Sequence, residues 1–402
     1  MHRELKIAHA ADLHLGSPFA RLPKDVSERL IDEQRVYLGR IVDRCLEEAV
    51  DLLILAGDVF DRPDVKPIWV NRLADAMARL NPIDVYIVPG NHDPYYPGSA
   101  WERGDWSPNV RIFKTAQTVH NEGLGVDISA YPFTGLRQHV SLDDAHVELN
   151  EDPSNFRILV LHGELVSGQA SKSAYNPISR KHPTFRNYDY VALGHVHQAE
   201  TISESNERRT VIRYSGCPQG RGFDELGEKG FWIEQLKRGP DAGGRYITEH
   251  ESRFIGMDTC QFLIEDIDLS NCEDEREVAV FVRTEVGRLM EQYGEAVLKK
   301  ACLRLRLVGR IDTNIEIDLA SLQDVVRLAG VSYIEMRDKT QPAWPLDRLR
   351  SENGFFGVLV RNYDRARETV LQSRKDQEEK EKQLRLLDEA LNYALEAGEG
   401  KA

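Results

Sequence analysis

Five apolar stretches in the first half of this chain end on carboxylate, amide or imidazole side chains: KIAHAADLH, DLLILAGDVFD, VYIVPGNHD, FRILVLHGE and YVALGHVH. Each is a short, nearly continuous apolar run, as expected of a strand buried on both faces in a parallel sheet. In an open α/β sheet, ligands gather outside the carboxyl ends of the strands. Five such endings on parallel strands therefore converge. The side chains they deliver are Asp12 and His14, Asp58 and Asp61, Asn91 and His92, His162, and His195 and His197. Residues i and i+2 of an extended segment share a face, so D-x-H and H-x-H each aim two ligands together. Glycines before Asp58, Asn91 and His195 allow tight turns there. Oxygen and imidazole donors without thiolate suit Mn²⁺, Fe²⁺ or Zn²⁺, and a shared carboxylate can bridge two such ions about 3.5–4 Å apart. The pattern predicts a dinuclear metal site.

The segments between these strands predict how they are connected. SERLIDEQRVYLGRIVDRCLEEAV repeats apolar residues at helical spacing, with Ser27 as the expected N-cap, and PIWVNRLADAMARL reads as a second helix. A βαβαβ unit follows. From Val110 to about Phe254 strand-like runs dominate, from VRIF to GFWIEQL and RYITEHESRFI, and predict a second, mixed sheet packed on the first. After Gly256 the order strand, helix, strand, helix, strand predicts a small α+β domain. From Tyr363 onward the chain is charged and free of proline, with Leu384, Leu387, Leu391 and Ala394 in one narrow seam, the pattern of a long terminal helix. The expected boundaries are 1–255, 256–345 and 346–402.

Five cysteines, an odd number with no C-x-x-C pair, fit a reducing compartment better than a disulfide framework. No export signal and no apolar run long enough to span a membrane is seen, so a cytoplasmic location with no membrane contact is expected. The net charge of −14 repels polyanions, so any nucleic-acid role needs a local basic surface or a partner that supplies one. Arg304 and Arg306, alternating with leucines on one face of a strand, are read as solvating its edge in preference to touching phosphates, and SRKHPTFR as either a substrate path or a solvated loop. Histidines outside the five blocks are assigned no role, Asp93 is read as a ligand or a loop cap, and Cys217 as a packed small residue.

DLH, GDVFD, GNHD, the lone His162 and GHVH match in order the five blocks of the calcineurin-like metallophosphoesterases, over roughly residues 5–200. GDVFDRP and YSGCPQGRGFDELGEKGFW further resemble the SbcD-type DNA repair exonuclease subunits, in particular their YhaO-like branch. Cys217 departs from the serine or asparagine more usual at that position. The resemblance implies a two-sheet αββα sandwich, a small α+β capping domain and a C-terminal helical segment. It implies one metal held by Asp12, His14 and His197, a second by Asn91, His162 and His195, and Asp58 bridging both. His92, oriented by Asp61, would stand near the leaving-group oxygen. The expected activity is phosphodiester hydrolysis by two divalent ions, Mn²⁺ foremost, as the DNA nuclease subunit of an SbcCD-like complex with an SbcC-like coiled-coil ATPase as partner. Rival readings are a phosphodiesterase or pyrophosphatase for nucleotides or other small phosphoesters, and a scaffold without activity. The sequence does not decide between monomer and homodimer.

Overall fold

A computed structural model of the chain describes residues 3–136, 142, 152–167, 176–203, 210–373 and 376–398. They divide into two compact units, Met1–Leu263 and Ile264–Ala402.

The first unit holds two six-stranded sheets. One runs Tyr246–Gly256, Gly230–Pro240, Arg3–Ala10, Leu52–Ala56, Asp84–Val88, Val110–Ile112. Its last four strands are parallel; Gly230–Pro240 joins Arg3–Ala10 antiparallel, and Tyr246–Gly256 joins Gly230–Pro240 antiparallel. The other runs Glu200–Ser203, Val211–Tyr214, Tyr190–Gly194, Phe156–His162, Val126–Tyr131, Gln117–Asn121, parallel except at its two edges. Expected second-sheet strands Val110–Ile112, Gly230–Pro240 and Tyr246–Gly256 thus belong to the first sheet. Apolar alternation specifies a strand and its faces but not its neighbour.

Successive side chains explain why the central strands read as unbroken apolar runs. Ile7, Leu52, Ile54 and Val88 face Ile128, Ile158, Val160 and Ala192 between the sheets. Their neighbours Ala8, Leu53, Leu55 and Ile87 face outward onto Tyr37, Leu38, Ile41 and Leu73 of the helices Lys24–Glu47 and Pro67–Ala78. On the far sheet, Leu159, Leu161, Val191 and Leu193 pack against Phe185, Tyr188 and Ile178, so a 3₁₀ turn and loop segments cover that face. The first helix starts at Lys24, before the expected cap. Pro23 supplies a restricted φ, and the Ser27 hydroxyl donates to the carbonyls of Pro23 and Lys24 inside the first turn.

The second unit is built on a three-stranded sheet of Phe262–Asp268, whose first two residues precede the boundary, Cys302–Val308 and Tyr333–Asp338, with helices Glu275–Tyr293 and Leu319–Leu328. Asp274 and Asp318 cap the two helices by accepting from main-chain N–H groups of the first turn. The C-terminal segment forms two long helices, Phe355–Gln372 and Gln377–Gly398, where a single one is expected. Leu391 and Leu395 of the second are buried against Val360 and Tyr363 of the first, so the leucine seam is satisfied within the chain. Among the described residues no helix is long and apolar enough to cross a membrane.

Candidate metal centre

The strand ends turn sharply. Asp12, His14, Asp58 and His195 all have positive φ, at 53°, 44°, 50° and 98°. Non-glycine residues pay a conformational cost in that region, and such strain clusters at functional sites. The three glycines serve different ends. Gly57 has φ +90° and also lies against His162, whose Nδ1 would be 2.2 Å from a Cβ there, whereas Gly90 and Gly194 are required by close approach alone: a Cβ at Gly90 would lie 2.3 Å from Asp58 Oδ1, and one at Gly194 2.0 Å from the Ala56 carbonyl. Main-chain bonds from Asp12 to Gly57 and from His14 to Asp58, each 3.0 Å, lock the first two loops together.

The donors gather in two linked groups. Asp12, His14 and His197 form one, with His14 Nε2 3.2 Å from His197 Nε2, itself 3.7 Å from Asp12 Oδ1. In the other, His162 Nε2 lies 3.3 Å from Asp58 Oδ2 and 3.0 Å from Asn91 Oδ1. Asp58 Oδ2 is also 4.0 Å from His14 Nε2, so this carboxylate reaches toward both groups. His195 donates its main-chain N–H to both oxygens of Asp12, at 3.1 and 3.0 Å, and its ring centroid lies 5.4 Å from that of His162. His162 donates Nδ1–H to the Ala56 carbonyl at 2.9 Å, which turns Nε2 into the site.

His92 stands at the exposed edge. Its Nε2 is 4.0 Å from Asp58 Oδ2, and its Nδ1 donates to the main-chain carbonyl of Asp61 at 2.7 Å. The Asp61 carboxylate points elsewhere, 3.5 Å from His14 Nδ1 and 3.5 Å from Arg221 Nη1. Asp93 accepts from Gly90 N at 2.7 Å and Phe60 N at 2.9 Å, so it ties down the loop that presents Asn91 and His92.

The electrostatics suit a cation. Burial raises Asp12 to about 6, and burial together with the Asp58 charge raises Asp93 to about 7. Burial alone would raise Asp58, but the imidazoles of His162, His14 and His92 hold it well below the usual carboxylate range. His162 is lifted to about 9 because Asp58 overrides its own burial, while burial keeps His14 and His195 near 4 and hence neutral. Two carboxylates that are each 1% exposed, imidazoles and an amide oxygen fit divalent cations of borderline hardness.

Several supporting residues carry no donor-spacing signal. Glu225 Oε1 lies 2.7 Å from His197 Nδ1, and Arg221 bonds to the same carboxylate at 2.9 Å. Both belong to the quoted YSGCPQGRGFDELGEKGFW block, but their role depends on how that loop folds back. Gln34 donates to the His14 carbonyl at 2.9 Å and accepts from Gly16 N, and Tyr37 donates to the Leu13 carbonyl. A glutamine on the buried face of a helix was the available clue. Cys217 is buried, its thiol pushed well above the ordinary range by burial, with Sγ 3.5 Å from the His197 carbonyl.

The basic positions singled out from the sequence are engaged elsewhere. Arg304 pairs with Glu335 at 2.8 Å and Arg306 with Asp266 at 2.9 Å, each a carboxylate of a neighbouring strand. In SRKHPTFR, Arg180 lies 3.5 Å from Glu200, His182 caps a 3₁₀ turn, and Phe185 covers the second sheet. Of the histidines given no role, His9 bonds Tyr190 and His120 bonds Asp127, while His139 and His146 lie outside the described residues.

Residues 5–199, which contain every candidate ligand, match the family described as Calcineurin-like phosphoesterase. These residues of the first unit are thus similar to a calcineurin-like metallophosphoesterase domain. Among curated proteins, the chain is 32% identical over 248 residues to YhaO of Bacillus subtilis (strain 168), described as an uncharacterized metallophosphoesterase. That likeness covers 60% of this chain and 59% of YhaO, so the chain spans about three fifths of its relative's length. Among solved structures, Vps29 of Chaetomium thermophilum shares 10% identity at a TM-score of 0.21, covering 63% of this chain and 99% of Vps29, a likeness too weak to bear on fold or function.

Proposed function

We propose that the protein hydrolyses phosphodiester bonds with two divalent cations, Mn²⁺ foremost, as the DNA exonuclease or endonuclease subunit of an SbcCD-like repair complex. The observation that carries this is the position of Asp58, within 4.0 Å of nitrogens from both donor groups and from His92. Bound cations would supply Lewis acidity and a deprotonated water at neutral pH. Asp12, His14 and His197 would hold one, Asn91, His162 and His195 the other, with Asp58 shared. His92, its Nδ1 fixed on the Asp61 carbonyl, holds a proton at Nε2 in its cationic form and passes it to the departing alkoxide.

A second reading, hydrolysis of nucleotides or other small phosphoesters, is favoured by the net charge of −14, which opposes a polyanion. A DNA role is eased if an SbcC-like ATPase contributes a binding surface, and the C-terminal helices, with Phe355, Val358, Leu386 and Tyr393 exposed, are its proposed seat. Purified protein with Mn²⁺ should be assayed on end-labelled duplex DNA, single strands and bis(4-nitrophenyl) phosphate. Chelation should abolish hydrolysis and Mn²⁺ restore it. Turnover that survives exhaustive chelation overturns the metal-dependent reading, and turnover of the small diester alone selects the second.

A further inference from the structure

The loop that follows His14 and the loop that follows Asp61 enclose a pocket of about 480 Å³, within the range of about 300–1,000 Å³ usual for small-molecule sites. Its charged lining consists of four cations, Arg35, Arg62, Lys66 and Arg72, against one carboxylate, Asp64. In a chain of net charge −14 this is a marked local reversal. Arg35 is partly neutralised by its pair with Asp32. Arg62 makes two looser ion pairs, its Nε 3.9 Å from Asp61 and 4.0 Å from Asp64, too far for hydrogen bonds, so its N–H groups are not committed to either carboxylate. Arg72 lies over the Trp69 ring, 5.2 Å from its centroid, and Trp69 is buried against Gly16, where a Cβ would come within 3.0 Å of the indole. Ile31 and Ile68 add an apolar wall. Gly16 is two residues from His14 and Arg62 one from Asp61, so their Cα atoms are at most about 7.6 and 3.8 Å from those of the site residues. Cations beside an apolar wall match a phosphate joined to a sugar and base.

We propose that this pocket binds a nucleoside phosphate group next to the phosphodiester held at the centre, making a nucleotide, free or terminal on a strand, the substrate class. This rests on the phosphodiesterase reading, but its test needs no turnover. The full-length protein is titrated with dAMP, and separately with a fluorescein-labelled hexadeoxythymidylate, with chelator present throughout. Arg62→Ala/Lys66→Ala/Arg72→Ala should bind at least one probe about tenfold or more weakly, the equivalent of losing one strong charge-assisted contact. The salt dependence of strand binding should flatten by about 0.7 per lost phosphate contact. Arg62→Lys/Arg72→Lys should retain most of the affinity. Weakening of both probes means that the pocket accepts a free nucleotide, and weakening of the strand alone that it takes a terminal one. Should the triple variant misfold, Arg62→Glu/Lys66→Glu, at exposed positions, replaces it. Unchanged binding of both probes, or an equal loss in the exposed control Arg327→Ala, would overturn the proposal. Failure of the hydrolysis assay would leave this result standing, and unchanged binding would leave the hydrolysis standing.

Discussion

Glu225 Oε1 lies 2.7 Å from Nδ1 of His197, and the opposite nitrogen of that ring faces Asp12 and His14. Burial alone would lower the His197 pKa, yet the Glu225 carboxylate and Asp12 hold it above the ordinary value. The carboxylate thus fixes the ring so that Nε2 carries the lone pair into the site once a cation replaces its proton. Glu225→Ala should weaken metal binding about 10- to 100-fold, with Glu225→Gln in between. Calorimetric titration of the metal-free protein with Mn²⁺ reads this, and parental affinity in Glu225→Ala would show that His197 orients itself without help.

His92 and Asp61 should separate in their effects, because the imidazole is held by the Asp61 main chain while the Asp61 side chain faces His14. His92→Ala should keep its metals and lose about 10²- to 10⁴-fold in rate. Asp61→Asn should chiefly weaken metal binding at the His14 group. Metal analysis and single-turnover rates on both variants decide this, and metal loss in His92→Ala would make His92 a ligand instead.

Asp58 reaches nitrogens of both donor groups, whereas His14 belongs to one. Asp58→Asn should therefore deplete both ions and His14→Asn one. Elemental analysis after dialysis gives the counts, and the same single loss in both variants would refute the bridge.

The donors were legible in the sequence because coordination chemistry restricts the side chains and strand geometry restricts their spacing. Asp12, His14, His195 and His197 were marked by their D-x-H and H-x-H spacing at strand ends, but the positive φ of Asp12, His14 and His195 means that tight turns, not an extended run, aim them. Glu225 and Arg221 were not legible: they meet His197 from 28 and 24 residues away through a loop whose path no local pattern specifies. Strands such as Gly230–Pro240 were recognisable as strands, but their place beside Arg3–Ala10 comes from a non-local pairing. The cationic pocket escaped for a related reason, since Arg35, Arg62, Lys66 and Arg72 come from two helices and a loop and form no run in the sequence.

His9 gives a pH dependence away from the metal ligands. It is fully buried, with Nδ1 2.9 Å from the Tyr190 hydroxyl, and burial together with the nearby Arg213 charge lowers its pKa from 6.5 to about 3. A folded-state pKa below the unfolded one means that the neutral ring stabilises the fold fully above pH 6.5 and that this contribution is lost as pH falls toward 3. The loss approaches about 1.4 kcal/mol per pH unit inside that window. His9→Gln, which keeps a partner for Tyr190 but does not titrate, should flatten the dependence in urea unfolding by about a quarter of a proton at pH 7, rising to nearly one at pH 5. Identical slopes in parent and variant would mean that His9 is protonated in the folded protein.

The last prediction concerns the proposed ATPase partner and the two C-terminal helices. Leu391 and Leu395 are already buried against Val360 and Tyr363, so the leucine seam cannot also be the partner's contact without unpacking. What remains outward is Phe355, Val358 and Leu371 on the first helix, 67%, 48% and 53% exposed, and Leu386 and Tyr393 on the second, 55% and 70% exposed. Residues three or seven apart on a helix share a face, so each helix presents an apolar pair suited to a partner's helices. Phe355→Glu/Tyr393→Glu should abolish co-purification with an SbcC-like ATPase while leaving thermal unfolding and hydrolysis of bis(4-nitrophenyl) phosphate as in the parent. Deleting residues 377–398 should instead destabilise the second unit, because it strips the cover from Val360 and Tyr363. A double-glutamate variant that retains the ATPase at the parental level would place the partner's contact somewhere other than these two pairs.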